Sequence, residues 1–276
     1  MTSDSGSLGD EVTQSGVFET VRDGYDAVYD ALPSSEVFSR IWRDTAYGDE
    51  FGDEFAHIGF LTLAEGERLL ELLGLDGGTL VDVACGTGGP GLWFAKQTGA
   101  TLIGVDPSAS GVAAAARRAK RVGTVPARFV EGTFEQTGLP DGSADAMTTI
   151  EAFQYAPDKR AAFREFSRVL RPGARAGLVC FEVDPSKAAG LPVLGVDPIP
   201  DYRPLIDSAG LSVVAYEETP GWEERVYSTF SALVEAADAI IADIGERAAA
   251  GALAEAMLTV QMKPYPRRVL MVVERS

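Results

Sequence analysis

The stretch Val81-Asp82-Val83-Ala84-Cys85-Gly86-Thr87-Gly88-Gly89-Pro90-Gly91 decides the fold. It leads from a β-branched, apolar segment over residues 79–84, through a glycine-rich turn, into a helical stretch over 91–98. Glycines at such a turn let the backbone reverse sharply and let a ligand approach the main chain. Gly86, Gly88 and Gly91 also satisfy the G-x-G-x-x-G pattern of dinucleotide sites, a weak signal by itself. Asp82 shifts the choice, because an acid just before the turn suits a ligand carrying an ammonium better than a pyrophosphate. A nicotinamide oxidoreductase would also need a catalytic domain for which this chain has little room.

Outward from this turn the sequence alternates. Strands are expected over 101–105, 127–131, 144–150 and 175–182, with helices between them. Ser108 or Ser110 can cap the alanine-rich helix that ends near Val122. Asp158 can cap one with Phe163, Phe166 and Leu170 at helical spacing, which Pro172-Gly173 stops. Such alternation implies a parallel sheet covered on both faces. Later come a short helix over 201–209, a strand over 211–217, one long helix over 222–244 and a last strand over 267–274. Helical residues inserted before that strand read as a lid over about 220–257. Towards the N-terminus, 66–75 reads as an amphipathic helix, and 17–60 is dense in aromatic residues, several at helical spacing. The expected division is a disordered tail over 1–16, a helical cap over 17–78, and an α/β domain over 79–276.

Asp106, closing the second strand, has two readings. It can accept both hydroxyls of a ribose, or it can cap the next helix. With Asp82 and the glycine turn at this spacing the nucleoside reading leads. Thr133 and Phe134, after the third strand, would then lie beside the base: Thr133 can bond an exocyclic amine, and Phe134 can offer its backbone N–H or its ring edge.

Residues 81–88 resemble the first motif of class I S-adenosylmethionine-dependent methyltransferases, and Asp106 matches their ribose-binding acid. Leu139-Pro140-Asp141-Gly142-Ser143-Ala144-Asp145-Ala146 and Arg168-Val169-Leu170-Arg171-Pro172-Gly173 resemble the type-11 branch, which includes quinone, sterol and natural-product enzymes. The resemblance covers roughly residues 57–217. It implies a Rossmann-like, seven-stranded, mostly parallel sheet whose last strand is antiparallel. It also implies S-adenosyl-L-methionine as cofactor, S-adenosyl-L-homocysteine as product, and a cofactor site that includes Asp82, Ala84, Cys85, Gly86, Gly88, Asp106, Pro107, Thr133 and Phe134. Ala84 replaces a glycine common in the family, which alanine tolerates if its φ is negative. Upstream, Tyr25-Asp26, Ile41-Trp42 and His57-Ile58-Gly59-Phe60 echo landmarks of small-molecule members, where this region closes over the methionine end of the cofactor. Tyr25 is a candidate for the cofactor carboxylate. His57, the one histidine of the chain, is a candidate for catalysis or for cofactor-side packing.

Methyl transfer from a sulfonium asks the protein to align the acceptor, exclude water and, for some acceptors, remove a proton. The acceptor pocket is expected at the carboxyl end of the strand carrying Ile150, with residues 151–155 at its rim. Many type-11 relatives carry a histidine just before x-P-D. Here Tyr155 precedes Ala156-Pro157-Asp158, which puts histidine-assisted transfer in doubt. Tyr155 can orient an acceptor hydroxyl or form part of the pocket wall. Glu151 and Asp184 are further candidates, each readable also as a solvated carboxylate. Phe153, Phe181, Trp222, Tyr227 and Phe230 are candidate lining residues, each readable also as core. A hydroxyl of a secondary metabolite or quinone-like compound is the expected acceptor, ahead of carbon or nitrogen. The alternative is a non-methylating step such as cyclisation that retains the cofactor.

Composition narrows the partners. The 24 basic and 41 acidic residues give a formal net charge of −17, which repels phosphate backbones and anionic membranes. A small-molecule substrate is expected, with no nucleic acid, no membrane insertion, no metal, and a monomer or homodimer. Cys85 and Cys180 fit no metal spacing and read as reduced and buried. The N-terminal residues lack the apolar core of a signal peptide, so a cytoplasmic protein is expected.

Overall fold

The computed structural model describes Asp26, Tyr29 and residues 35–48, 59–123, 125–189, 191 and 194–276. The expected tail over 1–16, together with Tyr25 and His57, lies outside the described residues.

Seven strands form one sheet. They are β1 (Thr79–Val83), β2 (Thr101–Asp106), β3 (Ala127–Glu131), β4 (Ala144–Ile150), β5 (Leu170–Glu182), β6 (Leu211–Glu218) and β7 (Arg267–Arg275), in the order β3-β2-β1-β4-β5-β7-β6. The first five pair in parallel, and β7 runs antiparallel to both β5 and β6. The fold is therefore the expected Rossmann-like α/β architecture. The chain winds outward from β1 to β3 and returns to β4 beside β1. That reversal opens a crevice at the carboxyl ends of β1 and β4, where such sheets bind ligands.

Helices α1 (Glu36–Ile41) and α2 (Leu63–Leu73) precede the sheet, with a π-helical turn, Trp42–Tyr47, directly after α1. Helix α2 starts before the expected residue 66, because Thr62 caps it and Glu65 completes a reciprocal capping box. Between strands lie α3 (Gly89–Thr98), α4 (Ala109–Val122) and α5 (Lys159–Val169); Ser108 and Asp158 supply the caps of the last two. Strand β5 begins at Leu170, ahead of the expected 175, where its pairing with β4 shifts register. After the short helix α6 (Pro185–Ala188) come α7 (Arg203–Ser208) and the three helices set between β6 and β7: α8 (Trp222–Glu235), α9 (Ala237–Ile244) and α10 (Glu246–Met262). The single helix expected over 222–244 is thus two. Ala236, at φ −92° and ψ 12°, breaks it and lets Asp243 accept a hydrogen bond from Ser35 Oγ at 2.6 Å.

Three buried clusters hold the described residues together. One lies between the sheet and helices α5 and α7, a second on the opposite face under α2 and α3. The third is formed by α1, the π-helical turn and helices α8–α10, with Phe181 and Tyr265 from the sheet's carboxyl side. Among the described residues no helix is long and apolar enough to cross a membrane.

Candidate functional site

The glycine turn sits at the carboxyl end of β1. Gly86 and Gly88 take φ values of 50° and 78°, and the Gly88 N–H closes the turn on the Cys85 carbonyl at 2.8 Å. Side chains crowd these glycines. A Cβ on Gly86 would stand 2.8 Å from the Tyr29 hydroxyl, and one on Gly91 would stand 2.5 Å from Asp82 Oδ2. The first contact places the Tyr29 side chain over the turn; the second lets α3 start directly above the Asp82 carboxylate. Ala84 departs from expectation. Its φ is +57°, not negative, so the side chain at this glycine-preferring position occupies the left-handed region at a cost. Cys85 and Cys180 are both free thiols and buried, as expected.

Two carboxylates are buried here. Asp82 accepts the Thr148 hydroxyl at 2.8 Å, and burial pushes its pKa up to about 7. Asp106 accepts the backbone N–H of Gly86 at 2.7 Å and of Ser108 at 2.9 Å, and burial pushes its pKa up to about 6. Asp106 therefore ties the glycine turn to the end of β2, while Ser108, not Ser110, caps α4. Asp26 accepts the Ser108 hydroxyl and adds its own repulsion to Asp106. Among the described residues neither Asp82 nor Asp106 is paired with a lysine or arginine. A site with this donor set favours a cationic ligand and disfavours a pyrophosphate. Pro107 is half-buried at the same corner.

After β3, Thr133 is half-buried and closes a tight turn, its Oγ accepting the Gln136 N–H at 3.1 Å. The Phe134 ring does not face outward. It packs edge-on against Phe153 inside the core. Phe153, an expected lining residue, is fully buried among Phe134, Phe163, Phe166 and Tyr202 and belongs to that core.

The tip of β4 differs most from expectation. Glu151 is neither solvated nor a free base. It adopts φ +55°, and its carboxylate is paired with Arg268 at 2.6 Å and accepts the Phe60 N–H. Arg268, wholly buried on β7, also pairs with Glu65 of α2 at 2.8 Å, and Arg225 of α8 joins Glu65 at 2.7 Å. Asp184 caps α6 through the Ser186 N–H at 2.9 Å and is half-buried. The Gln154 amide donates to the Glu151 carbonyl at 2.8 Å, while its own buried oxygen meets no donor among the described residues.

Tyr155 follows in the 3₁₀ turn Phe153–Tyr155 and donates its hydroxyl hydrogen to Glu255 of α10. It packs into the third cluster with Phe181, Trp222, Tyr227 and Phe230, so the structure brings together five of the expected acceptor-side residues and removes Phe153 from them. Phe181 stacks on Tyr265 with centroids 4.2 Å apart and meets Trp222 edge-on, and Phe230 meets Phe60 edge-on. Tyr227 lies under the Lys263 ammonium, 5.0 Å from its ring centroid. The segment adjoining His57 is pinned on this side, since Trp42 and Tyr47 both donate to the Gly59 carbonyl, the indole at 2.9 Å.

Sequence reasoning missed Arg268, Glu65 and Glu255. A signal existed for Arg268, an arginine entering the apolar run 269–273, and for Glu65, the third residue of a capping box.

Residues 81–178 match a family described as "Methyltransferase domain". The chain is 29% identical over 218 residues to 27-O-demethylrifamycin SV methyltransferase of Amycolatopsis mediterranei, covering 72% of this chain and 78% of that protein. It is 38% identical over 104 residues to sterol 24-C-methyltransferase erg6 of Aspergillus fumigatus, a match that spans 37% of this chain and only 28% of that protein. The structure resembles that of the [4+2]-cyclase SpnF with a TM-score of 0.70 and 22% identity, over 92% of this chain and 94% of that one, a likeness of fold alone. The motif, the sheet order and the two buried acids at the switch point agree with a likeness to S-adenosylmethionine-dependent methyltransferases, a likeness that the family match carries over residues 81–178.

Proposed function

We propose that this chain is an S-adenosylmethionine-dependent methyltransferase that transfers the methyl group to a hydroxyl of a small apolar natural product held beneath helices α8–α10. The observation that carries this reading is the Tyr155 hydroxyl, fixed within an aromatic cluster just beyond β4. Bound S-adenosylmethionine supplies a methyl group already activated by its sulfonium, so the protein has to align, desolvate and deprotonate. In this reading Asp106 receives the ribose hydroxyls on the lone pairs its backbone donors leave, and Asp82 offers negative charge to the amino-acid end. Gly86, Gly88, Ala84, Cys85 and Pro107 present backbone to the cofactor; Thr133 and the Phe134 backbone flank the base. Tyr25 and His57 are assigned to the cap over the methionine end. Gln154 Oε1, buried and without a donor among the described residues, suits an ammonium or a hydroxyl. Phe181, Trp222, Tyr227 and Phe230 exclude water and grip the acceptor, and Tyr155 orients its hydroxyl.

The test is a mass and proton NMR assay with trideuteromethyl-labelled S-adenosylmethionine. The acceptor panel holds 27-O-demethylrifamycin SV, hydroxylated macrolactones and phenols. Release of S-adenosylhomocysteine with a product labelled at oxygen supports the reading, and a label on carbon or nitrogen overturns it. The likeness to a [4+2]-cyclase fold supports a second reading, an unlabelled isomer formed without S-adenosylhomocysteine. In a folded Asp106→Ala variant the cofactor should bind about 2 kcal/mol more weakly by calorimetry, from lost charged hydrogen bonds; unchanged affinity would remove Asp106 from the site.

A further inference from the structure

Tyr155 reaches across 100 positions of sequence to bond Glu255, and nothing in the apolar packing of α10 calls for that carboxylate. The helix buries Ala249, Leu253, Ala256 and Thr259 on one face. It turns Met257, 57% exposed, Leu258 and Met262 toward solvent. Its other charged residues, Glu246 and Arg247, are exposed, while Glu255 is half-buried with its carboxylate on Tyr155. Burial of apolar surface would favour the opposite rotation, with Met257 inside and Glu255 outside. Removing a carboxylate from water is costly unless a partner compensates. The compensation here is a single phenol: among the described residues the Tyr155 hydroxyl is the one group acting on Glu255, and neither α8 nor α9, packed against α10, presents a charge to it.

We propose that Tyr155 and Glu255 form a proton relay for the acceptor hydroxyl, in which Glu255 is the terminal proton acceptor acting through Tyr155. The inference rests on the hydroxyl-acceptor reading above. As the acceptor oxygen forms its bond to the methyl carbon, the sulfur keeps the electron pair of the broken C–S bond. The acceptor O–H proton passes to the Tyr155 oxygen, and the proton of Tyr155 passes to the Glu255 carboxylate, which later returns it to water. A phenol that donates its one hydrogen to Glu255 retains acceptor lone pairs for the incoming proton. Burial raises the pKa of Glu255, which makes its carboxylate a stronger base. The dyad fills the task that a histidine before x-P-D would otherwise perform.

The direct test is carboxyl NMR of the full chain labelled with δ-¹³C glutamate and bound to S-adenosylhomocysteine, with Glu255 assigned by its loss in Glu255→Gln. We expect Glu255 to titrate above the ordinary glutamate value of about 4.3. In Tyr155→Phe it should titrate higher still, because the phenol stabilises the charged form. An ordinary midpoint, or one unmoved in Tyr155→Phe, overturns the relay. With an acceptor methylated at oxygen in the panel above, Glu255→Gln should lower kcat by about 10²-fold or more and abolish its rise with pH, with KM and cofactor affinity kept. Oxygen methylation by Glu255→Gln at the wild-type rate and pH profile sinks the relay and leaves the function standing. A wild-type chain that methylates carbon or nitrogen, or forms an unlabelled isomer, sinks the functional reading and the relay with it. Tyr155→Phe, which keeps the ring packing, provides a second variant if Glu255→Gln folds poorly.

Discussion

Ala84 holds a left-handed backbone beside the glycine turn, where an L side chain costs roughly 1–2 kcal/mol. Ala84→Gly should therefore raise the urea midpoint by an amount corresponding to about 1 kcal/mol, offset in part by the greater freedom of glycine in the unfolded chain. A lower midpoint would mean that the methyl group packs usefully. The buried acids beside it make a second prediction. Asp82 and Asp106 have folded pKa values of about 7 and about 6, raised above their value of 3.8 in an unfolded chain. Between these values the folded state binds more protons than the unfolded one, so their contribution to stability is present at low pH and lost as pH rises from about 4 to about 7. Asp82→Asn should flatten that dependence in the ligand-free protein, as read by unfolding across the range. S-adenosylmethionine, a cation near these acids, should release protons on binding at pH 6–7. Calorimetry in buffers of different ionisation enthalpy checks this, and zero proton release would argue against a cation at that position.

Among the elements, β7 has an unusual task. Its Arg268 enters the interior and meets Glu65 of α2, Glu151 at the tip of β4 and, through Glu65, Arg225 of α8. Each carboxylate there is out of water, and a buried pair broken on one side costs about 3–5 kcal/mol. Arg268→Met should destabilise by that order in denaturant unfolding. Neutralising the partners as well, in Glu65→Gln with Glu151→Gln, should recover much of the loss, since an uncompensated charge is what hurts. Failure of the triple variant to recover stability would show that geometry, not charge, is what Arg268 supplies. The pairing also explains the left-handed φ of Glu151: the turn after β4 is bent so that this carboxylate faces Arg268 and the Phe60 N–H together.

At the scale of the molecule, helices α8–α10 are tied to the elements that precede the sheet by polar contacts that include, among the described residues, Ser35 to Asp243 at 2.6 Å, Thr45 to Thr229 at 2.8 Å, and Arg225 to Glu65 at 2.7 Å. Weakening two of them in Ser35→Ala with Thr45→Val should speed hydrogen exchange in residues 35–48 and 222–262 and leave the strands protected. Uniform loss of protection would mean that these layers open only with the whole domain. The alternation of strands and helices, the glycine turn and the placement of Asp82 and Asp106 beside it were legible in the sequence, because periodicity, turn chemistry and motif spacing are local properties of a chain. The early start of α2 was legible too, in Thr62 and Glu65. Other features depend on which distant surfaces meet. The break at Ala236, the place of Phe153 in the sheet core against that of Phe181 in the third cluster, the sign of φ at Ala84, the burial of Glu151 and Arg268 and the pairing of Glu255 with Tyr155 are all of this kind. Sequence by itself determined the layered sheet and the end of it that carries the glycine turn and the two buried acids. Only tertiary structure decided which charges leave water together, since a buried ion pair or a Tyr–Glu bond exists only once residues far apart in the chain share one dry space.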